Sequence, residues 1–178
     1  MFFYDSPMSN RAHRSRVRLG KSRGFTLIEI VLATSIFTMF FLSISFFYKK
    51  ALDVSKDTTG HIQSGYFLEE GIEAVKLMRD AGWTTNIATL TPGTTYYLYW
   101  NGSMWTATTT VQVLENTYTR SFVIANVARD ANDNIVSSGG TNDPGTKMVT
   151  LNISWMRYGN KGITSDSIQT YITNLLNN

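Results

Sequence analysis

The sequence predicts an α+β fold: a long N-terminal α-helix, membrane-spanning in its first half and amphipathic in its second, packed on a C-terminal antiparallel β-sheet. Residues 25–48 form an apolar run of 24 residues in which Glu29 is the only charge. About 20 such residues cover a bilayer core as a helix. Between residues 62 and 81 the apolar side chains recur with a helical period. After Gly82 the chain turns to Thr, Val, Tyr and Trp in short alternating stretches separated by turn residues, the pattern of a strand meander.

Four segments follow in chain order. Residues 1–24 read as a leader, 25–48 as the span, 49–82 as the amphipathic continuation and 83–178 as a β-rich globular domain. The leader opens polar and turn-rich, with Asp5, Ser6, Pro7, Ser9 and Asn10. It ends basic: Arg11, Arg14, Arg16, Arg18, Lys21 and Arg23 are opposed only by Asp5, a net +5. A secretory signal would follow its basic stretch with a short apolar core and a small-x-small cut site, and neither is present.

The span contains many phenylalanines and β-branched residues, which are mediocre helix formers in water. In a bilayer every backbone polar group needs a partner within the segment, which enforces the helix. No Pro or Gly occurs between Phe25 and Thr59. Lys49 and Lys50 mark the far interface, and six leader cations against these two put the N-terminus in the cytoplasm.

The helix is expected to continue beyond the membrane, with Gly60 and Gly65 as soft points. Phe67, Leu68, Ile72, Val75 and Met78 fall on one face, and Glu69, Glu73, Lys76 and Asp80 fall opposite. Tyr66 and Leu77 flank the polar side, where neighbouring subunits would meet them. Gly82 suits a C-cap. A helix of about 55 residues is about 80 Å long, too long to pack within one small globule.

In the β-rich part, Asn101-Gly102 joins strands at 95–100 and 104–110 as a hairpin. Further strands are predicted at 118–129, 147–158 and 163–173. The connection at 130–146 is rich in Asp, Asn, Ser and Gly, with Pro144-Gly145 as a turn.

Charge and cysteine content exclude several functions. The net charge of +3 and pI of about 9.2 point at first to nucleic acid or an anionic surface. Without the leader, 10 Lys and Arg stand against 12 Asp and Glu, a net −2, so no nucleic-acid partner is expected. The chain has no cysteine, which rules out disulfides, a thiol nucleophile and a CxxC metal site.

Glu29 carries the most chemistry. A carboxylate in hydrocarbon is costly, and such residues are functional by default. The alternative is that it lies near the cytoplasmic end and reaches the headgroups by snorkelling.

Gly24-Phe25-Thr26-Leu27-Ile28-Glu29, continued by Ile30-Val31-Leu32-Ala33, follows basic residues and opens an apolar helix. In this the chain resembles type IV pilins and the pilin-like pseudopilins of type II secretion and DNA-uptake machines. The match in motif covers residues 24–48; beyond them it is architectural. The resemblance implies that a prepilin peptidase cuts after Gly24 and methylates the new amino group of Phe25. It implies that Glu29 then pairs with the terminal ammonium of an adjacent subunit. A free ammonium and a carboxylate are each poor in lipid, so pairing across subunits would set the register of each new helix. Implied partners are the peptidase, other pilin or pseudopilin subunits, the inner-membrane assembly platform and membrane lipid. No cofactor and no enzymatic activity are implied. The implied location is the bacterial inner membrane, single-pass, and after assembly an extracytoplasmic filament.

Two departures matter. Phe46 stands where many members carry a helix-breaking proline, and no disulfide closes a C-terminal loop. These tilt the reading towards a minor pilin or pseudopilin. An alternative is a ligand-binding module for adhesion or DNA uptake, held at a filament tip or cell surface by the same anchor. A further alternative is an ordinary signal-anchored protein.

Other constellations are weaker. His13 and His61 are the only histidines, so a Ser-His-Asp triad would have to use His61. No GxSxG or phosphate loop accompanies it, and His61 reads as a solvated helix residue. Asp130-x-Asn132-x-Asn134 is similar to the opening of a calcium loop, but Ile135 stands where that loop needs glycine. Some pseudopilins bind calcium in C-terminal loops, which makes Asp130, Asp133 and Asp143 weak metal candidates. The alternative is a loop of Asx-capped turns. In the aromatic hairpin, Tyr96, Leu98 and Trp100 are expected to pack on the helix, with Tyr97 and Tyr99 outward. Such rings can stack sugars or single strands, but the nearest cation in sequence is Arg120, and plain sheet packing is the favoured reading.

Overall fold

The structure, a computed structural model, describes residues 24–159 and 161–176. The predicted leader to residue 23, with its six cations and His13, lies outside the described residues. The first helix, α1, runs from Leu27 to Ala81 over 55 residues. The chain divides into two compact units, one ending at Phe46 and the other beginning at Phe47.

The first unit is the apolar part of α1. Its residues from 24 to 46 are all exposed, and the helix is long and apolar enough to cross a membrane. Four of its hydroxyls bond back to carbonyls of the same helix. Thr34 donates to the Ile30 carbonyl at 2.9 Å, Ser35 to Val31 at 2.7 Å, Thr38 to Thr34 at 2.7 Å and Ser43 to Met39 at 2.8 Å. Such back-bonding removes the cost of placing a hydroxyl in hydrocarbon.

The second unit packs the rest of α1 on an antiparallel sheet, giving the α+β architecture. A short helix, α2 (Trp83–Asn86), leads into strands β1 (Thr95–Trp100), β2 (Trp105–Thr108), β3 (Val113–Leu114), β4 (Tyr118–Arg129), β5 (Ile135–Val136), β6 (Thr141–Met156) and β7 (Ile163–Thr173). The sheet order is β2-β1-β4-β6-β7, with β3 and β5 paired to β4. Strands β1, β4 and β7 coincide with the predicted ranges, and Asn101 caps the β1–β2 turn by accepting from the Ser103 and Met104 amides at 3.0 and 2.9 Å.

The segment at 141–146 departs from the expectation. It belongs to β6, and Pro144-Gly145 is no chain reversal. Val127 pairs with Asp143 and Asn126 with Lys147, so residues 144–146 form a bulge opposite β4. The β7 pairing starts only at Thr146, so this end of β6 borders no strand on its other side and tolerates a proline.

The core lies between the second part of α1 and the sheet. Leu68, Ala74, Val75 and Met78 meet Phe122, Ile124, Val149, Leu151, Ile153 and Trp155. Phe67 and Ile72 of the predicted face are half-buried, and Tyr66 and Leu77 are exposed as expected. Gly60, Ser64, Gly71 and Ala74 complete the buried stripe. The helix runs unbroken through Gly60 and Gly65. Gly82, at φ 151°, ends α1 and starts α2.

Candidate functional site

The start of α1 is a capping box. Thr26 is the N-cap: its carbonyl accepts from the Ile30 amide at 3.2 Å. Its hydroxyl oxygen accepts from the Glu29 amide at 3.4 Å. In return, Glu29 Oε2 accepts from the Thr26 amide and the Thr26 hydroxyl, both at 3.0 Å. A Thr-x-x-Glu pair of this kind satisfies two amides that every helix start leaves without a partner. The spacing was legible in the chain, since a Ser or Thr three residues before an acid and ahead of an apolar run is the sequence sign of a box.

This geometry fixes the carboxylate of Glu29 against its own helix tip, among exposed Phe25, Leu27 and Ile28. One oxygen is used by Thr26, and Oε1 has no hydrogen bond among the described residues. Gly24 is exposed, and a Cβ built on it meets nothing within 4 Å. Among the described residues, then, no packing reason requires glycine at 24.

Two of the three aspartates proposed as metal candidates, Asp133 and Asp143, are held by a cation of the chain itself. Arg129 Nε donates to Asp143 at 2.7 Å and lies 3.6 Å from Asp133 Oδ1. Its Nη1 donates to the Asp133 carbonyl at 2.8 Å. Asp130 instead accepts from the Asn132 and Asn134 amides, both at 2.9 Å, as an Asx turn does. The Arg129 contact holds the Asp143 carboxyl below the usual range, with the Thr146 and Gly145 donors adding to it. Among the described residues no group of three ligating side chains is gathered for a metal ion.

His61 is half-exposed but not simply solvated. Its Nδ1 lies 2.9 Å from Asp166 Oδ2 on β7, and its ring meets the Trp155 edge at 5.1 Å. Buried Ser64 donates to the same Asp166 oxygen and to the His61 carbonyl. Asp166 therefore stands between serine and histidine. In a hydrolytic triad the imidazole stands between the serine and the carboxylate; here the carboxylate is in the middle, and the cluster ties α1 to β7.

Sequence reading missed Arg120. It is 2% exposed, donates to the Phe67 carbonyl at 2.8 Å and lies 3.3 Å from half-exposed Glu70. Its Nε and Nη2 have no hydrogen-bond partner among the described residues. The signal was the inward alternation of β4, which places position 120 between buried Tyr118 and Phe122. Buried at this site and 5.8 Å from the Trp105 ring, the guanidinium is not offered to a ligand on the aromatic hairpin. Tyr96 packs near Phe122 at 5.7 Å and Leu98 is buried, but Trp100 is half-exposed and pairs with Trp105 at 5.6 Å instead of packing on the helix.

Comparison with family models, with curated proteins and with solved structures finds no match for this chain.

Proposed function

We propose that this chain is a pilin-like structural subunit, cut by a prepilin peptidase after Gly24 and assembled into a type IV pilus or a type II secretion-type pseudopilus. The observation that carries the proposal is the start of α1. A carboxylate is held at the tip of an apolar helix by Thr26, with one oxygen left for a donor from outside the subunit. A glycine that the described fold does not need stands two residues before that threonine. A peptidase subsite accounts for the glycine, and the ammonium of a neighbouring Phe25 accounts for the free oxygen. The long apolar helix followed by a helix-on-sheet domain supports the same reading.

Mass spectrometry of the native N-terminus tests it. The expected species begins at an N-methylated Phe25. A protein retaining Met1 would return the chain to the class of ordinary signal-anchored proteins.

A further inference from the structure

A cluster of charge outside the helix tip is not used by this function. Strands β6 and β7 are joined by a hairpin closed by the Arg157 amide on the Gly162 carbonyl at 3.0 Å. That hairpin is fastened to the first turns of α1 beyond Lys50. Lys161 binds Asp53 at 2.7 Å, Arg157 binds Asp57, and the Lys56 ammonium sits 3.3 Å over the Tyr158 ring. Lys50 also acts on Asp53.

Two features of this end of the second unit point to a ligand. The first is charge. Of the 10 Lys and Arg from residue 25 onward, five belong to the hairpin and these turns of α1: Lys49, Lys50, Lys56, Arg157 and Lys161. Among the described residues Asp53 and Asp57 are the acids of these stretches, a net +3, whereas the rest of the chain from residue 25 onward holds five cations against 10 acids, a net −5. The second is apolar exposure at the same place. Ile163 is 74% exposed, Tyr158 55% and Met156 50%. Cations with exposed tyrosine and aliphatic side chains are what a membrane interface selects.

Position along the helix supplies the occupant. Asp53 lies three residues beyond Lys50, about 5 Å at 1.5 Å per residue. A bilayer's headgroup layer is about 5–8 Å thick on each side. If α1 leaves the hydrocarbon at Lys49 and Lys50, Lys161 on Asp53 stands at headgroup level, and Arg157 on Asp57, about 10 Å beyond Lys50, stands at the outer edge of that layer.

We propose that the β6–β7 hairpin end and the adjoining turns of α1 form a second membrane contact, which binds anionic phospholipid headgroups of the leaflet where the span ends. The contact rests on the spanning reading of α1. It would hold the β-rich unit against the bilayer while the subunit is stored there.

The absence of cysteine allows single spin labels at Ile163→Cys, Ser103→Cys and Phe40→Cys in the full chain. Each is reconstituted in phosphatidylglycerol-containing or purely phosphatidylcholine vesicles and probed with a water-soluble nickel chelate. The expected result is several-fold lower accessibility at position 163 in the anionic vesicles only. The difference should vanish in about 1 M salt, where the Debye length is about 3 Å, while position 103 stays accessible throughout. Equal accessibility at 163 in both vesicles, with position 40 shielded, would overturn the headgroup contact and leave the span intact. An accessible position 40 would overturn both. Shielding of 163 that appears only in assembled filaments would assign the surface to a neighbouring subunit and also overturn the proposal.

Discussion

The indole Nε1 of Trp155 stands 2.8 Å from the point that a Cβ on Gly60 would occupy. Eleven residues on, a Cβ on Gly71 would lie 2.3 Å from Leu151 Cδ2 and 3.1 Å from Arg120 Cδ. The two glycines let α1 come down on β6. Gly65 has nothing within 4 Å of its Cβ position. The three alanine variants should therefore separate. Gly65→Ala should stabilise by about 0.5–1 kcal/mol from helix propensity alone. Gly71→Ala should cost about 1–3 kcal/mol net, because overpacking outweighs that gain. Gly60→Ala should fall between them, since an indole edge can shift. Urea unfolding of the three proteins checks the order, and a stabilised Gly71→Ala would show that the helix–sheet contact is loose.

These glycines also show what was legible in the chain. Periodicity identified Leu68, Val75 and Met78, because apolar side chains announce the face they bury. It was silent on Gly60 and Gly71, because a close approach is a property of the partner surface and leaves no mark on the helix itself. The partial alternation of β4 marked its extent, 118–129, whereas β3 and β5, at two residues each, were too short to show any alternation. Pro144-Gly145 was misleading because the pair signals a local bend, and whether a bend becomes a turn or a bulge depends on pairing with β4 and β7. At the helix tip the residues were legible singly, and their reciprocal hydrogen bonds were not drawn from the spacing that encodes them.

Arg120 and Glu70 should respond unequally to removal. Deleting Glu70 leaves a guanidinium at 2% exposure, two of whose nitrogens already lack a hydrogen-bond partner among the described residues. Glu70→Ala should cost about 1–3 kcal/mol; a fully buried pair would lose more, but half-exposed Glu70 is partly screened. Arg120→Met removes the charge and both orphaned donors and keeps most of the volume, so it should be neutral or stabilising. Thermal melts of the two variants check this, and a larger loss in Arg120→Met would contradict it.

The Arg129 cluster makes a statement about calcium. With a guanidinium on Asp143 and Asp133, a calcium ion would have to displace it before gaining those oxygens. Adding calcium or a chelator should leave the wild-type Tm unchanged, whereas Arg129→Ala should cost about 1–3 kcal/mol through loss of charged hydrogen bonds. A calcium-dependent rise in the wild-type Tm would mean that the aspartates release Arg129 for a metal.

Acid should loosen the second unit through named carboxylates. Lys161 holds the Asp53 carboxyl below its ordinary value, and Arg157 does the same for Asp57. A group whose folded pKa is lowered contributes fully above its unfolded value, about 3.9 for Asp, and loses that contribution as pH falls through the folded value. The Tm should therefore be flat near neutrality and fall below about pH 4. The double variant Asp53→Asn, Asp57→Asn should start lower at neutral pH and show a shallower acid limb. An acid limb identical to the wild type would remove these pairs from the explanation.

Glu29 has two tasks that one substitution can separate. Within the subunit it completes the capping box with Thr26; between subunits it is proposed to pair with an ammonium. Glutamine serves a capping box as glutamate does, because its carbonyl oxygen also reaches back to the N-cap amide. It carries no charge to neutralise an ammonium in lipid. If capping were the whole role, Glu29→Gln would assemble normally and only Glu29→Ala would fail. If charge pairing governs assembly, both variants should be cut after Gly24 and both should fail to enter filaments. Thr26→Val, which loses the cap at a cost of about 1 kcal/mol but keeps the carboxylate, should retain substantial assembly. Filament yield and mature N-termini across the three variants decide it: filaments from Glu29→Gln at wild-type levels would reduce Glu29 to a helix cap.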